Sequence, residues 1–528
     1  MGRQRIVRLL IACALAASAA CSKSSDASKT SDVSEPPKPP IIEAAGETLL
    51  GAVEANGVYA FKGVPYAAAP NGERRWRAPI TATPREGHQD ARAFGAACPQ
   101  DNGNSEWYQS VAKGVGADPR LAPQLTDISE NCLFLNIWTP SLNADAALPV
   151  MVWVHGGSNV NGYGHEPNYH GAALAQKGVV VVSLNYRLGP LGFLAHPALS
   201  DDGPNGVSGY YGLLDQIAAL HWVADNIAAF GGDKDSVTVF GESAGGGDIA
   251  ALMHMADADG LFHRAIIQSG AIGPGDPVAY ADANAAGVAL MAALEAETID
   301  EMRALDWRDI IQTRPQALPD YYFGPVADGR YLSADANLRP VPLLIGSNRD
   351  EWLMYLPEEA DAIEAAYEDA LTAYAADRDG LHAYLSDQFD TPAARADALY
   401  SGAEFLCPSL SLAARNTRLG AQSFAYHFTR VRPGADALQA YHGAEIPYAF
   451  DTADPWLPGD GVDAALADAI TRYWTTFAKT GMPSGDDLSD DLAPWAAYDG
   501  EAETIMELGA RIGPLKGDPS AICAYLKQ

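Results

Sequence analysis

Residues 230–245 read FGGDKDSVTVFGESAG, and they end in the pattern G-x-S-x-G at positions 241–245. An apolar run at 237–240 precedes the pattern, and a run compatible with a helix at 244–255 follows it. A strand, a serine turn and a helix in this order form a nucleophile elbow, whose strained turn lifts the serine hydroxyl off the end of a sheet. Small residues flank the serine because the turn leaves no room for side chains. The stretch therefore predicts an α/β fold with Ser243 as its nucleophile.

Runs rich in β-branched and aliphatic residues occur on both sides of the elbow, at 150–154, 179–183, 265–268 and 342–345. Short runs of this kind are typical of strands that are covered on both faces, as in a parallel sheet. Residues 213–226 carry apolar side chains at helical spacing between two of the runs. Strand, helix and strand in series predict a doubly wound, mostly parallel sheet. An Asn56-Gly57 pair inside the alternating segment 51–61 predicts a hairpin near the start of the domain.

Two Ala-rich segments, about 276–317 and 357–414, lie outside this alternation and are predicted to be helical. They are either insertions over the functional edge of the sheet or a plain helical layer. No Pro/Gly-rich linker divides the chain after residue 41, so a single domain over 41–528 is predicted.

The composition favours a globular protein without a nucleic-acid partner. Of 528 residues, 48% are hydrophobic and 19% are charged, which is typical of a globular domain. Acidic residues number 67 and basic residues 35, for a formal net charge of -32. Because a nucleic-acid partner requires phosphate neutralisation by Lys and Arg, no nucleic-acid binding is expected.

Residues 1–20 have the organisation of a secretory signal peptide. Arg3, Arg5 and Arg8 precede an uncharged stretch at 9–20 that ends in small residues. The stretch is shorter than the roughly 20 apolar residues that a spanning helix needs. A cleaved signal and export are therefore predicted, and an uncleaved anchor remains as an alternative.

The signal is followed by a candidate lipidation site. Residues 18–21, Ser-Ala-Ala-Cys, resemble a bacterial lipobox, with Ser18 where Leu is usual, and the resemblance implies that Cys21 carries a lipid. Residues 21–40 contain no aromatic residue and one large aliphatic residue, Val33, so they predict a disordered tether. We expect association with a membrane through the lipidated N-terminus, in the periplasm or cell envelope; plain secretion is the alternative.

Landmarks along nearly the whole chain after the tether resemble the type-B carboxylesterase and cholinesterase family. They are the elbow segment, FKGVPYA at 61–67, RWRAP at 75–79, SENCLFLN at 129–136, NYRLGPLGF at 185–193, YGLLDQ at 211–216 and GLFHRAIIQSG at 260–270. Asn131 stands where Asp is usual. The resemblance implies an α/β-hydrolase fold, with a large, mostly parallel sheet flanked by helices and helical insertions over the active site.

A serine hydroxyl needs a base within hydrogen-bond reach and a group that orients the base. His442, in YHGAEIPYAF at 441–450, matches the catalytic histidine of the family. The acid is expected between serine and histidine in the chain. Glu351, in GSNRDE at 346–351, matches the family's acid, and Asp350 is the alternative. Trp352 stands where Gly is usual and is expected to narrow the pocket or shift this loop.

The resemblance also implies an oxyanion hole made of the backbone N–H groups of Gly157, Ser158 and Ala244. Ser158 replaces a third glycine and Asn159 an aromatic residue, so we expect a more polar acyl side. Glu242 matches a carboxylate beside the active site. Ser269 matches a serine that bonds the acid and the histidine.

Two disulfides, Cys98–Cys132 and Cys407–Cys523, are implied by the same resemblance. No CxxC pair occurs, which argues against zinc or an iron–sulfur cluster. No P-loop, no GxGxxG after a strand and no HExxH occurs either, so no metal and no cofactor are expected.

The resemblance thus predicts a serine carboxylesterase that hydrolyses a small-molecule ester through an acyl-enzyme. Amidase, thioesterase or lipase activity on the same triad is the alternative, followed by a non-catalytic binding member of the fold. Choline esters are not expected as substrates, because the loop between Cys98 and Cys132 holds only Trp107, nearer to its first cysteine than the family pattern places a tryptophan.

Overall fold

The strand that leads into Ser243 belongs to an 11-stranded sheet within the described residues of the computed structural model. The structure describes residues 39–202, 206–271, 277–319, 321–332, 338–484, 492–501 and 504–527. The predicted signal peptide, Cys21 and all but the last two residues of the predicted tether lie outside these ranges. From Pro39 onward the chain forms one compact unit.

Strands are short and mostly buried in this part of the chain. Their bounds are β1 (Ile41–Ala44), β2 (Glu47–Leu50), β3 (Ala52–Val53), β4 (Tyr59–Pro65), β5 (His88–Asp90), β6 (Phe134–Thr139), β7 (Leu148–Val154), β8 (Val180–Leu184), β9 (Gly232–Glu242), β10 (Arg264–Gln268), β11 (Val278–Ala279), β12 (Val326–Ala327), β13 (Leu343–Asn348), β14 (Ser423–Phe428), β15 (Ile505–Leu508) and β16 (Ile512–Pro514).

The large sheet has the order β16-β15-β14-β13-β10-β9-β7-β8-β6-β4-β3. Seven neighbouring strands, from β15 to β8, run parallel to one another, and antiparallel strands complete both edges. The predicted mostly parallel sheet is confirmed, and so is the hairpin, in which β3 pairs antiparallel with β4. Since β7, β9 and β13 are parallel, their carboxyl ends meet at one edge, where α/β folds place their sites.

Helices cover both faces of the sheet. Their bounds are α1 (Gly103–Gly114), α2 (Ala172–Gln176), α3 (Gly189–Phe193), α4 (Pro197–Asp202), α5 (Tyr211–Asn226), α6 (Ala244–Leu252), α7 (Tyr280–Ala293), α8 (Ile299–Ala304), α9 (Trp307–Ala317), α10 (Ala360–Tyr374), α11 (Arg378–Gln388), α12 (Pro392–Ser401), α13 (Cys407–Arg418), α14 (Ile446–Ala449) and α15 (Gly461–Thr480). Both Ala-rich segments are helical, as predicted. No helix within the described ranges is long and apolar enough to cross a membrane.

The core lies on both sides of the sheet because alternate residues of one strand enter different clusters. In β7, Val150 and Val152 pack with one cluster, whereas Met151 and Trp153 pack with the other. All four are 0% exposed. Full burial of an aliphatic side chain stabilises the folded state by about 1.5–3 kcal/mol. Because side chains on both faces of β7 are buried, the run at 150–154 needs a covering layer on each face of the sheet.

Both predicted disulfides, Cys98–Cys132 and Cys407–Cys523, are present. They close spans of 34 and 116 residues. Such cross-links typically add about 2–4 kcal/mol to the free energy of unfolding. The second bridge begins at the first residue of α13, directly after a π-helical turn at Gly402–Leu406 that reaches the site described next.

Candidate active site

Ser243 occupies a tight turn between β9 and α6. Its backbone has φ 53° and ψ −128°, a conformation that L-residues avoid and that costs about 1–3 kcal/mol. Two hydrogen bonds hold the turn: Ser243 N donates to Gln268 O at 2.8 Å, and Gly247 N donates to Ser243 O at 2.9 Å. The predicted elbow is therefore present, with the strain that typically marks a functional turn.

The glycines of the G-x-S-x-G pattern are needed for space. A Cβ on Gly245 would lie 2.2 Å from Val154 O, and one on Gly241 would lie 2.7 Å from the same atom. Real Cβ atoms do not approach so closely, so any side chain there would push β9 and α6 away from β7. The glycines of the pattern thus allow β9 and α6 to pack closely against β7, in addition to forming the turn.

His442 and Glu351 meet Ser243 although they are distant in the chain. His442 Nε2 lies 2.8 Å from Ser243 Oγ, and His442 Nδ1 lies 2.7 Å from Glu351 Oε2. Glu351 Oε1 accepts a hydrogen bond from Asn348 N at 2.6 Å. Glu351 is 0% exposed, so its orientation is set by these partners. Such an arrangement can take a proton from a serine hydroxyl and stabilise the imidazolium that results.

Burial alone would lower the pKa of His442, but the charge of Glu242, and then the hydrogen bond to and charge of Glu351, outweigh burial and raise it above 6.5. Glu242 Oε1 lies 3.4 Å from His442 Nε2. Burial raises the pKa of Glu242 in turn, although the charge of His442 lowers it. The site thus favours a positive charge on the imidazole.

Asp350, the alternative acid, does not face the histidine. Its Oδ2 accepts from Ala440 N at 2.9 Å and from Arg349 Nε at 2.8 Å. It therefore ties the loop after β13 to the chain just before His442. Of the two candidate acids, only Glu351 contacts the imidazole.

Trp352 leaves the Glu351–His442 contact intact. Its ring stacks on Tyr400, with centroids 5.0 Å apart, and its backbone N donates to Asp397 Oδ1 at 2.9 Å. Asp397 is 5% exposed and also accepts from Ser401 Oγ at 3.0 Å. The bulky residue thus joins the acid loop to the helical insertion over this part of the sheet.

Aromatic side chains line the approach to His442. The rings of Phe405 and Tyr355 lie 5.0 Å and 6.2 Å from the imidazole ring, and Trp107 Nε1 donates to Tyr355 OH at 3.2 Å. Tyr355 is 44% exposed, yet burial raises the pKa of its hydroxyl. Phe405 belongs to the second Ala-rich segment, which therefore covers the site.

The loop after β7 carries the predicted oxyanion donors. Gly157, Ser158 and Asn159 have consecutive positive φ values of 100°, 54° and 57°. Among the described residues, no acceptor pairs with the backbone N–H of Gly157, Ser158 or Ala244. A Cβ on Gly156 would lie 3.0 Å from Ser243 Cβ, so the loop lies directly beside the serine. Free N–H groups next to a nucleophile can stabilise a developing oxyanion.

Asn159 differs from the expectation of a more polar acyl side. It is 0% exposed, and its Nδ2 donates to Asp248 Oδ1 at 3.1 Å. Only Ser158 of the two substituted positions is exposed. Burial raises the pKa of Asp248 to about 7, although hydrogen bonds from Gln216 and Asn159 lower it.

Ser269 does not make the hydrogen bonds that the resemblance implies. Its Oγ is buried and has no partner among the described side chains and backbone, so it bonds neither Glu351 nor His442. Its backbone N donates instead to Gly346 O at 2.8 Å. Together with the φ of 48° at Ser269, this hydrogen bond directs the chain away from β10. The expected bonds are therefore a wrong prediction for this chain.

Sequence reasoning missed several residues that support the site. Asn348 holds Glu351, Asp397 holds the acid loop, Asp248 holds the oxyanion loop and Phe405 covers His442. Of these residues, Asn348 could have been found from the sequence, because it lies in the same GSNRDE segment as Glu351. Within the described part of the chain, no group of three His, Cys, Asp or Glu side chains is placed to hold a metal ion.

The sequence is similar to those of known esterases. The profile of the carboxylesterase family matches residues 38–518. The chain is 37% identical to a fumonisin B1 esterase from Sphingopyxis macrogoltabida over 90% of this chain and 89% of that one. It is 34% identical to a para-nitrobenzyl esterase from Bacillus subtilis over 88% of this chain and 94% of that one.

Solved structures give the same result for the fold. A para-nitrobenzyl (PNB) esterase structure superimposes with a TM-score of 0.76 at 31% identity, covering 92% of this chain and 99% of that one. A carboxylesterase from Geobacillus stearothermophilus also has a TM-score of 0.76, at 29% identity and with the same coverage.

Proposed function

The chain belongs to the carboxylesterase family and hydrolyses carboxylic esters, and from this premise we propose that Ser243, His442 and Glu351 carry the reaction through an acyl-enzyme. The observation that supports this assignment is the pair of contacts of 2.8 Å and 2.7 Å that joins Ser243 Oγ through the imidazole to the carboxylate. The substrate is a small-molecule ester.

Acylation begins when Ser243 Oγ attacks the ester carbonyl carbon while His442 Nε2 takes the hydroxyl proton. The carbonyl oxygen becomes an oxyanion, which the N–H groups of Gly157, Ser158 and Ala244 stabilise. The tetrahedral intermediate then breaks its bond to the alkoxy oxygen, and His442 gives that oxygen its proton. The alcohol leaves, and the acyl group stays on Ser243.

Deacylation repeats the sequence with water. His442 takes a proton from water as its oxygen attacks the acyl carbon, and the second intermediate expels Ser243 Oγ, which recovers the proton from His442. The carboxylic acid leaves. Glu351 stabilises the imidazolium in both halves and keeps Nδ1 protonated, so that Nε2 can accept a proton.

The acid limb of kcat/KM is expected to lie above pH 6.5. Only the neutral imidazole can accept the serine proton, and kcat/KM reports the pKa of the free enzyme. Because the neighbouring carboxylates raise the pKa of His442, activity falls as pH decreases through that raised value. The measurement is a pH profile of kcat/KM for an uncharged p-nitrophenyl ester; a midpoint below the ordinary histidine value would contradict the assignment.

Glu242→Gln tests the cause of the raised midpoint. The variant removes the carboxylate 3.4 Å from Nε2 and keeps its size, so the midpoint should move to lower pH. A midpoint that moves upward would show that the titrating group is not His442.

We also propose that the enzyme is exported and anchored by a lipid on Cys21. Support comes from the signal-like residues 1–20 and the Ser-Ala-Ala-Cys segment that ends them. Expressed at full length in a bacterial host, the protein should partition into detergent and incorporate labelled palmitate. Cys21→Ser should abolish both, whereas Cys13→Ser, within the cleaved segment, should preserve both; palmitate incorporation in Cys21→Ser would sink the proposal.

A further inference from the structure

We propose that Asn159 and Asp248 are positioning residues that hold the oxyanion loop against helix α6. The inference rests on the proposed function, because it concerns the donors assigned there to the oxyanion. Two of those donors, Gly157 and Ser158, lie on the loop after β7, and the third, Ala244, opens α6. Catalysis needs all three to converge on one oxygen atom, so the loop and the helix must keep a fixed distance.

Asn159 is the only residue of the positive-φ run at 157–159 whose side chain is fully buried. Its Nδ2 donates to Asp248 Oδ1 at 3.1 Å, and its Oδ1 accepts from Tyr186 OH at 3.1 Å. Tyr186 OH also lies 2.8 Å from His155 O, at the start of the same loop. The Asn159 amide therefore donates to Asp248 of helix α6 and accepts from Tyr186, which also contacts the start of the loop.

Asp248 lies in α6, one helical turn after Ala244, and is 0% exposed. Its second oxygen, Oδ2, accepts from Gln216 Nε2 of α5 at 2.5 Å. The carboxylate thus accepts from Gln216 of α5 on one side and from Asn159 of the loop on the other. A displacement of the Asn159 amide moves Ser158, the adjacent residue, together with its N–H.

The side-chain contact also accounts for the backbone of the loop. Ser158 and Asn159 are non-glycine residues with φ values of 54° and 57°. Strained conformations of this kind persist only where the surroundings over-determine them. The hydrogen bonds from Tyr186 and to Asp248 supply that constraint for Asn159.

The decisive variant is Asn159→Asp, because it is isosteric, tolerates positive φ and replaces the donor to Asp248 with a second carboxylate that repels it. We expect kcat for a p-nitrophenyl ester to fall about 10- to 100-fold, since a displacement of about 1 Å at a reacting centre can cost 100-fold. KM should change by less than about threefold, because the donors act on the transition state. The affinity for a trifluoromethyl ketone, which forms the oxyanion with Ser243, should fall by the same factor as kcat.

Asp248→Ala should reproduce these losses, and the double variant should lose little more than either single variant, because one contact is removed in each. Asp248→Asn should restore most of the rate, since its Oδ1 can still accept from Asn159. Ser236→Ala is the control: its hydroxyl accepts from Arg264 and takes no part in the Asn159–Asp248 contact, so kcat should stay within about threefold.

Folding is checked by thermal melting, and Asn159→Gly, which permits the same φ, replaces any variant that fails to fold. The proposal is overturned if a folded Asn159 variant keeps kcat within about threefold, or if kcat falls while the ketone binds as before. Failure of the proposed function gives a different result, in which Ser243→Ala retains activity whatever the Asn159 variants do.

Discussion

Ser243→Ala is expected to lower kcat for a p-nitrophenyl ester by about 10⁴- to 10⁶-fold, the loss that follows removal of a serine nucleophile from a triad. The variant isolates chemistry from folding, because alanine and serine meet the same backbone strain at a φ of 53°. The two hydrogen bonds of the turn involve only backbone atoms and survive the change. Thermal stability should therefore stay close to that of the wild type.

Covalent labelling provides the second readout of the same variant. A fluorophosphonate should label the wild type once, at Ser243, and should not label Ser243→Ala. Ser236→Ala, earlier in β9, is the matched control and should keep both labelling and activity, since among the described residues Ser236 Oγ accepts only from Arg264. This result would also separate a hydrolase from a binding protein with the same fold.

Removal of a second triad member should add little to this loss. Because the serine acts only together with its base, Ser243→Ala/His442→Ala should be about as slow as Ser243→Ala alone. A further large fall in the double variant would mean that His442 activates water directly. A purified Ser243→Ala protein with near wild-type activity would place the nucleophile elsewhere.

The elbow could be predicted from the sequence because its determinants are local. The strand, the strained serine and the close approach to Val154 are all encoded within residues 237–245, where glycine is required by atoms 2.2–2.7 Å away. The parallel strands could be predicted for a similar reason: a strand covered on both faces is apolar at every position, as 150–154 is.

Strands whose sequence is not continuously apolar were harder to predict. Strand β6 pairs antiparallel with both β4 and β8, yet it contains Asn136, whose Nδ2 donates to Ser183 Oγ at 3.1 Å across the sheet. A buried amide that finds its partner 47 residues away interrupts the apolar run without interrupting the strand. Strands β14, β15 and β16 were not identified in the sequence either.

The supports of the site could not be predicted because they depend on long-range contacts. Asp397 meets Trp352 N across 45 residues, and Asp248 meets Asn159 across 89. Nothing in the local sequence of either aspartate distinguishes it from the acidic residues that cover the surface of this chain. Resemblance singled out Ser243, Glu351 and His442, which the structure brings together, but it carried over hydrogen bonds of Ser269 that this chain does not make.

Glu351→Gln is expected to lower kcat by about 10⁴-fold, the loss seen when an orienting carboxylate becomes an amide. The amide can donate to His442 Nδ1, which then carries no proton, so the proton moves to Nε2 and the imidazole can no longer accept from Ser243. The size of the side chain is unchanged, and Asn348 N can still donate to the amide oxygen in place of Glu351 Oε1. Loss of rate without loss of folding is therefore the expected signature.

Asp350→Asn is the matched control, one residue earlier in the same loop. Its amide oxygen can still accept from Ala440 N, so the loop that carries His442 keeps its position and kcat should stay within about tenfold of the wild type. The two variants make the same chemical change on adjacent residues, and only Glu351 lies 2.7 Å from the imidazole. Steady-state kinetics on a p-nitrophenyl ester should therefore separate them by about 10³-fold. If Asp350→Asn were the slower enzyme, the loop would have to rearrange in solution so that Asp350 orients the base.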